Sequence, residues 1–240
     1  MINLEDFKQL PGPSNIALSE TAHILIPGRG RDETGEGLSL HSIDRNELAA
    51  KLYFALHPGI TAGIDPDVDY GNVVPSGYAT PGDSNGLEVV LFDEETGSYN
   101  IYHGNPEAYS GSLLLRKRGV YQEHISPEMN SIDTVTNFVC SELGGHFGWQ
   151  DNRPVAIVAQ ESHLSRMMKH IAPKTLRRDY IGVIVPEPQE PDVDSLMATF
   201  FSRAVILGLN SNSRDVVRRT DKRAHMLWQA VLFGQRIMNT

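Results

Sequence analysis

The sequence predicts an α/β protein of Rossmann-like, three-layer architecture, with a mostly parallel sheet, a β-hairpin insertion and a helical C-terminal appendage. Two patterns carry this expectation. Short apolar runs such as "HILI", "VAIVA" and "YIGVIV" alternate along the chain with segments of helical period. The run at 154–159 has no polar alternation at all, as expected of a parallel strand covered on both faces. The 240 residues leave room for one large domain and an appendage. The expected division is a lead-in over 1–19, a ligand-binding domain over 20–188 and a helical subdomain over 189–240.

Each element follows from local signals. Pro11 and Pro13 block regular structure in the lead-in. Residues 22–26 form a strand ending in the Gly-rich turn "PGRG". Asp44 reads as the N-cap of a helix with Leu48, Leu52 and Ala55 on its apolar stripe. A short strand at 72–74 precedes a long turn. Residues 88–92 and 98–102 read as a hairpin around Gly97, placed as an insertion or an edge addition. "PEAYSGSLLLRKRGV" is a helix ending before Gly119, with basic residues in its last turn. "SIDTVTNFVCSEL" is a second, with Ile132, Val135, Phe138 and Val139 on one face. After the 154–159 strand a helix runs to about Ile171, and 180–185 is the next strand. A Pro-rich connector leads to helices at 193–209 and 214–238.

Composition narrows the function. The formal charge of -9 and pI near 5.4 argue against nonspecific nucleic-acid binding. They leave room for an anionic small molecule, because a few clustered arginines make a positive pocket in an acidic protein. No apolar run approaches the roughly 20 residues that cross a bilayer, and the first residues have no signal-like core. The single cysteine, Cys140, excludes an intrachain disulfide and sits in a helix beside Val139, where packing is its expected role. The expectation is a cytoplasmic protein with no membrane and no nucleic-acid partner, with homodimerisation through the C-terminal helices left open. There is no HExxH, CxxC or GxSxG, so neither a metal site nor a serine-hydrolase elbow is expected.

In an open parallel sheet, ligands bind beyond the C-terminal strand ends. The residues at those corners are therefore the candidates. Gly28, Arg29 and Gly30 follow the first strand and could offer backbone N–H groups to an anion, or simply make a turn. Ser76 and Gly77 follow the second. Glu128, Ser131, Thr134 and Asn137 recur every three residues across a helix start. Ser131 reads as the N-cap with Thr134 at N3, and Asn137 lies on the same side.

The stretch "VAIVAQESHLSRMMKH" completes the set. Leu164, Met167, Met168 and Ile171 have core spacing. His163, Arg166 and His170 form the stripe beside them, behind Ser162 as the expected N-cap. An arginine in the first helical turn opposes the helix dipole unless an anion lies nearby. Glu161, or a ligand, could supply that anion.

Taken in order, these corners resemble the domain-of-unknown-function family that includes YdcF, SanA and ElyC. The shared motifs are the "PGRG" turn with Arg45, Ser76-Gly77, Glu107-Ala108 with Gly119-Val120, the E-x-x-S-x-x-T-x-x-N run, and H-x-x-R at His163 and Arg166. The likeness covers about 22–185. It implies a Rossmann-like fold with a polar pocket at the strand ends. YdcF is reported to bind S-adenosylmethionine, which makes that molecule the candidate cofactor. SanA and ElyC are membrane-anchored, and this chain looks more like the soluble branch.

Two functions are expected from these residues. One is an enzyme, a hydrolase or transferase acting on a nucleotide or phosphate ester. In it Arg45 and Arg166 hold the anion, Gly28, Arg29, Gly30, Ser76, Gly77, Ser131, Thr134 and Asn137 line the site, His163 is the acid or base, and Glu107 or Glu128 assists. The other is a non-catalytic S-adenosylmethionine-binding module.

Overall fold

The computed structural model describes residues 2–32, 37–61, 70–78, 88–93, 98–103, 105–186 and 196–208, with Val216, Arg219, Thr220, 222–224 and Met226. Gly97, the connector at 187–195 and most of the 214–238 segment lie outside the described residues, as do the side chains of the hairpin.

Chain order is β1 (Gln9–Leu10), β2 (His23–Pro27), α1 (Leu40–Leu56), α2 (Pro58–Thr61), β3 (Val73–Ser76), β4 (Glu88–Asp93) and β5 (Ser98–His103). Then come α3 (Glu107–Lys117), α4 (Thr134–Leu143), β6 (Val155–Gln160), α5 (Glu161–Arg166), α6 (Ala172–Thr175), β7 (Tyr180–Val185) and α7 (Leu196–Ile206). The main sheet has the order β1-β7-β6-β2-β3, with β3, β2, β6 and β7 parallel and β1 antiparallel on β7. The hairpin β4-β5 forms its own two-stranded sheet.

Alternation along the strands sends successive side chains to opposite faces. In β6, Val155, Ile157 and Ala159 join Leu25, Val135, Phe138, Leu164 and Met167 in one core. Ala156 and Val158 join Ile24, Ile26, Leu52, Tyr53 and Leu115 in the other. Helices α1 and α3 thus cover one face, and α4 to α7 the other, which gives the three layers. Removing a Leu or Phe side chain from water in such a layer stabilises the fold by about 1.5–3 kcal/mol.

Several boundaries differ from the sequence-based expectation. The lead-in contains β1, which pairs Gln9 with Val183 before Pro11 ends it, and it buries Phe7 and Leu18. Helix α1 starts four residues before Asp44, because Ser39 caps it by accepting the Ser42 N–H. Asp133, not Ser131, caps α4: its Oδ1 accepts from the Thr136 amide at 2.7 Å, and Thr136 Oγ1 accepts from the Asp133 N–H. Thr134 is consequently the first residue of that helix.

At α5 the N-cap position is held by Gln160, so Ser162 already lies inside the helix. The helix does not end at Ile171 but passes through a π turn, Met167–Ile171, into α6. Pro173 has no N–H to return to the carbonyl four residues earlier, which removes one bond of a regular α-helical ladder there.

The topology fixes where a site can be. From β2 the chain adds β3 on one side of β2, then crosses to place β6 on its other side. The loops leaving β2 and β6 therefore diverge, and the crevice between their C-terminal ends is the switch point.

Candidate functional site

Pro27 ends β2, and the turn that follows is built around a carboxylate from another element. Glu107 opens α3 and is buried. Its Oε1 accepts the Arg29 N–H at 2.6 Å and the Ser42 hydroxyl at 2.5 Å, while its Oε2 accepts the Gly30 N–H at 3.0 Å. The approach is close enough that a Cβ on Gly28 would lie 2.4 Å from Glu107 Oε2 and 2.9 Å from the Ser76 carbonyl oxygen. Burial pushes the Glu107 pKa up, against the pull of Ser42, the two amides and Arg45. The two amides can only donate to it, and the Ser42 hydroxyl, which also reaches the Gly30 carbonyl at 3.1 Å, can donate or accept.

A second buried carboxylate organises the E-x-x-S-x-x-T-x-x-N run. Glu128 Oε1 accepts from the amides of Asn130 and Ser131, at 2.7 and 3.1 Å. Its Oε2 accepts the hydroxyls of Ser76, at 2.8 Å, and Ser131. Burial raises its pKa while these donors, Ser131 foremost, oppose the rise. Ser131 lies two residues before the Asp133 cap, and its hydroxyl donates to Glu128. The Asn137 amide is oriented by its neighbours: its nitrogen donates to Ser131 Oγ and to the Asp133 carbonyl, and its oxygen accepts the Gly28 N–H at 3.2 Å. Gly77, at φ +138°, sits between Glu107 and Asn137, where a side chain would be strained. Gly28, Arg29, Gly30, Ser76, Gly77, Glu107, Glu128, Ser131 and Asn137 thus form one connected polar cluster. The cavity bordered by Gly28, Ser42, Ser76 and Glu107 is about 10 Å³, the size of one water.

The switch-point crevice is occupied by Arg45 of α1, which is fully buried. Its Nη1 donates to the Pro27 carbonyl at 2.7 Å, at the end of β2. Its Nε donates to Gln160 Oε1 at 2.6 Å, at the end of β6. Its Nη2 lies 2.9 Å from His163 Nδ1, and His163 Nε2 lies 3.1 Å from Thr134 Oγ1. A guanidinium can only donate, so Nδ1 is the acceptor. Burial first, then the charges of Arg45, Arg166, Arg29 and His41, hold the His163 pKa well below its ordinary value. The ring is neutral with its proton on Nε2.

Arg166 adds its charge to this positive region. Its Nη1 donates to Ser202 Oγ of α7 at 2.7 Å. Glu161, the carboxylate expected beside it, meets Lys8 at 2.7 Å. Sequence reading passed over Ser39, Ser42, Gln160, Asp133 and Ser202. Gln160 had a visible signal as the lone polar residue closing the apolar run "VAIVAQ". Ser42 was hidden by placing the helix start at Asp44. Among the described residues no group of three or more His, Cys, Asp or Glu side chains could hold a metal ion.

No family model, no curated protein and no solved structure matches the chain. The likeness to the YdcF group accordingly rests on the quoted motifs, and no family is assigned.

Proposed function

We propose that the protein binds an anionic, phosphate-bearing small molecule of nucleotide type at the strand ends beside His163. The observation that supports this is the fully buried Arg45, 2.9 Å from His163 at the strand ends, with the charges of Arg29 and Arg166 acting on the same ring, in a chain of net charge -9. Glu107 already acts on Arg45, and a bound anion would add to that offset of the grouped positive charge. The cations favour a phosphate over the sulfonium of S-adenosylmethionine, of which only the carboxylate suits them. The turn at Gly28 to Gly30 is not assigned to this ligand, because Glu107 already takes the Arg29 and Gly30 amides.

The arrangement supports binding more directly than acid-base turnover by His163. A base must have a free lone pair, and the Nδ1 lone pair faces Arg45 while Nε2 carries the proton. In the proposed function His163 is a positioning residue. Hydrolase or transferase action on the bound ester would then fall to other groups.

Thermal shift with inorganic phosphate, adenosine mono- and triphosphate, adenosine and S-adenosylmethionine tests the reading. The phosphate compounds are expected to raise Tm and adenosine to leave it unchanged. A shift with S-adenosylmethionine alone would favour the non-catalytic S-adenosylmethionine module. Mass spectrometry of the same mixtures after prolonged incubation reads out turnover.

A further inference from the structure

The chain Gln160–Arg45–His163–Thr134 has a direction. Gln160 Nε2 donates to the His41 carbonyl at 3.2 Å, which aims its oxygen at Arg45 Nε. Arg45 donates to Nδ1, so the neutral ring must donate from Nε2, and Thr134 Oγ1, 3.1 Å away, must accept. A threonine hydroxyl that accepts there keeps one hydrogen to give elsewhere. Thr134 is only half-buried, at the start of α4. It is the one member of the chain that is not fully buried.

We infer that Thr134 is a specificity-determining residue, whose hydroxyl donates to an unprotonated oxygen of the ligand, and that Arg45 and His163 are positioning residues that fix the direction of that donation. The inference rests on the anion-binding reading and deepens it. Guanidinium groups can only donate, and Thr134 is held as a donor toward the site. The group offered to the ligand at Thr134 is therefore a donor. It suits a fully ionised oxyanion such as a phosphate monoester or sulfate, and it rejects groups that must themselves donate.

Two measurements on the full chain test this. In the 15N NMR spectrum of histidine-labelled protein, His163 should show a protonated Nε2 and an unprotonated Nδ1, unchanged between about pH 5 and 8. In calorimetric titration with inorganic phosphate, Thr134→Val, which keeps the shape, should bind about ten-fold more weakly, and Thr134→Ser should restore affinity to within about three-fold of the parent. A proton on Nδ1, or undiminished phosphate binding by Thr134→Val, would overturn the inference while leaving the binding reading intact. If the parent protein binds no phosphate compound, both fall, whatever the NMR result.

Discussion

The carboxylate of Glu107 accepts the backbone N–H of Arg29 at 2.6 Å, across 78 positions of sequence. With the Gly30 amide on its other oxygen, it does for the turn after β2 what a bound anion does in many nucleotide-binding proteins. The protein supplies its own acceptor there.

Removing that acceptor should destabilise the fold. Glu107→Ala orphans the Gly30 amide and leaves the Arg29 amide only the longer contact to Ser42 Oγ, 3.2 Å away, and is expected to cost about 1–3 kcal/mol, with Glu107→Gln about half as costly. Urea unfolding measures both. A change below about 0.5 kcal/mol in Glu107→Ala would show that the turn does not depend on the carboxylate.

The pair between Glu142 of α4 and Arg178 is almost fully buried, with side-chain exposures of 5% and 3%. Arg178 also stacks on Phe147, 4.6 Å from the ring centroid. Glu142→Ala strands the guanidinium and should cost about 3–5 kcal/mol. The double change Glu142→Leu with Arg178→Met should cost clearly less, because no charge is left unpaired. Comparable losses in the single and double variants would refute the argument.

His23 opens β2 with its Nδ1 accepting the Asn72 N–H and its Nε2 facing Asp151 at 3.1 Å. Burial, opposed by Asp151 and reinforced by Arg178 and Arg153, lowers its pKa from 6.5 to about 4. The folded state keeps the ring neutral while the unfolded chain takes a proton below 6.5. Stability is therefore complete above that pH and is lost as pH falls toward 4, by about 3 kcal/mol for this group. Asp151, held below the usual carboxylate range chiefly by Arg153, loses its contribution only at lower pH. Glu107 and Glu128, with raised pKa values, act in the opposite sense but equally in parent and variant. The difference in unfolding free energy between pH 7 and pH 4.5 should thus be smaller in His23→Gln than in the parent. Equal differences would remove His23 from the acid response.

The layers were legible because burial on both faces leaves an unbroken apolar run. The strand at 180–185 is found at its expected bounds, and that at 154–159 is displaced by one residue. The corner residues were legible because strand ends in such sheets are where polar side chains gather. Their pairings were not. Glu107 reaches back to the β2 turn, Arg45 spans to Gln160 and His163, and Ser202 of α7 reaches Arg166. None of these distances leaves a local trace. Ser131 shows the same limit at short range: serine ahead of a helix signals a cap, and only the buried Glu128 beside it redirects the hydroxyl.

The π turn at Met167–Ile171 holds one residue more than a regular helix needs to cover the same rotation. A regular α-helix through the same segment would close its bonds over four residues rather than five, with one residue fewer between His163 and Pro173. A π turn takes one more residue than an α turn to come round, so that single deletion would leave α6, and the loop into β7, facing as they do now. A gap of one position in an alignment at this point would therefore be compatible with an unchanged site, provided His163 and Arg166 themselves align.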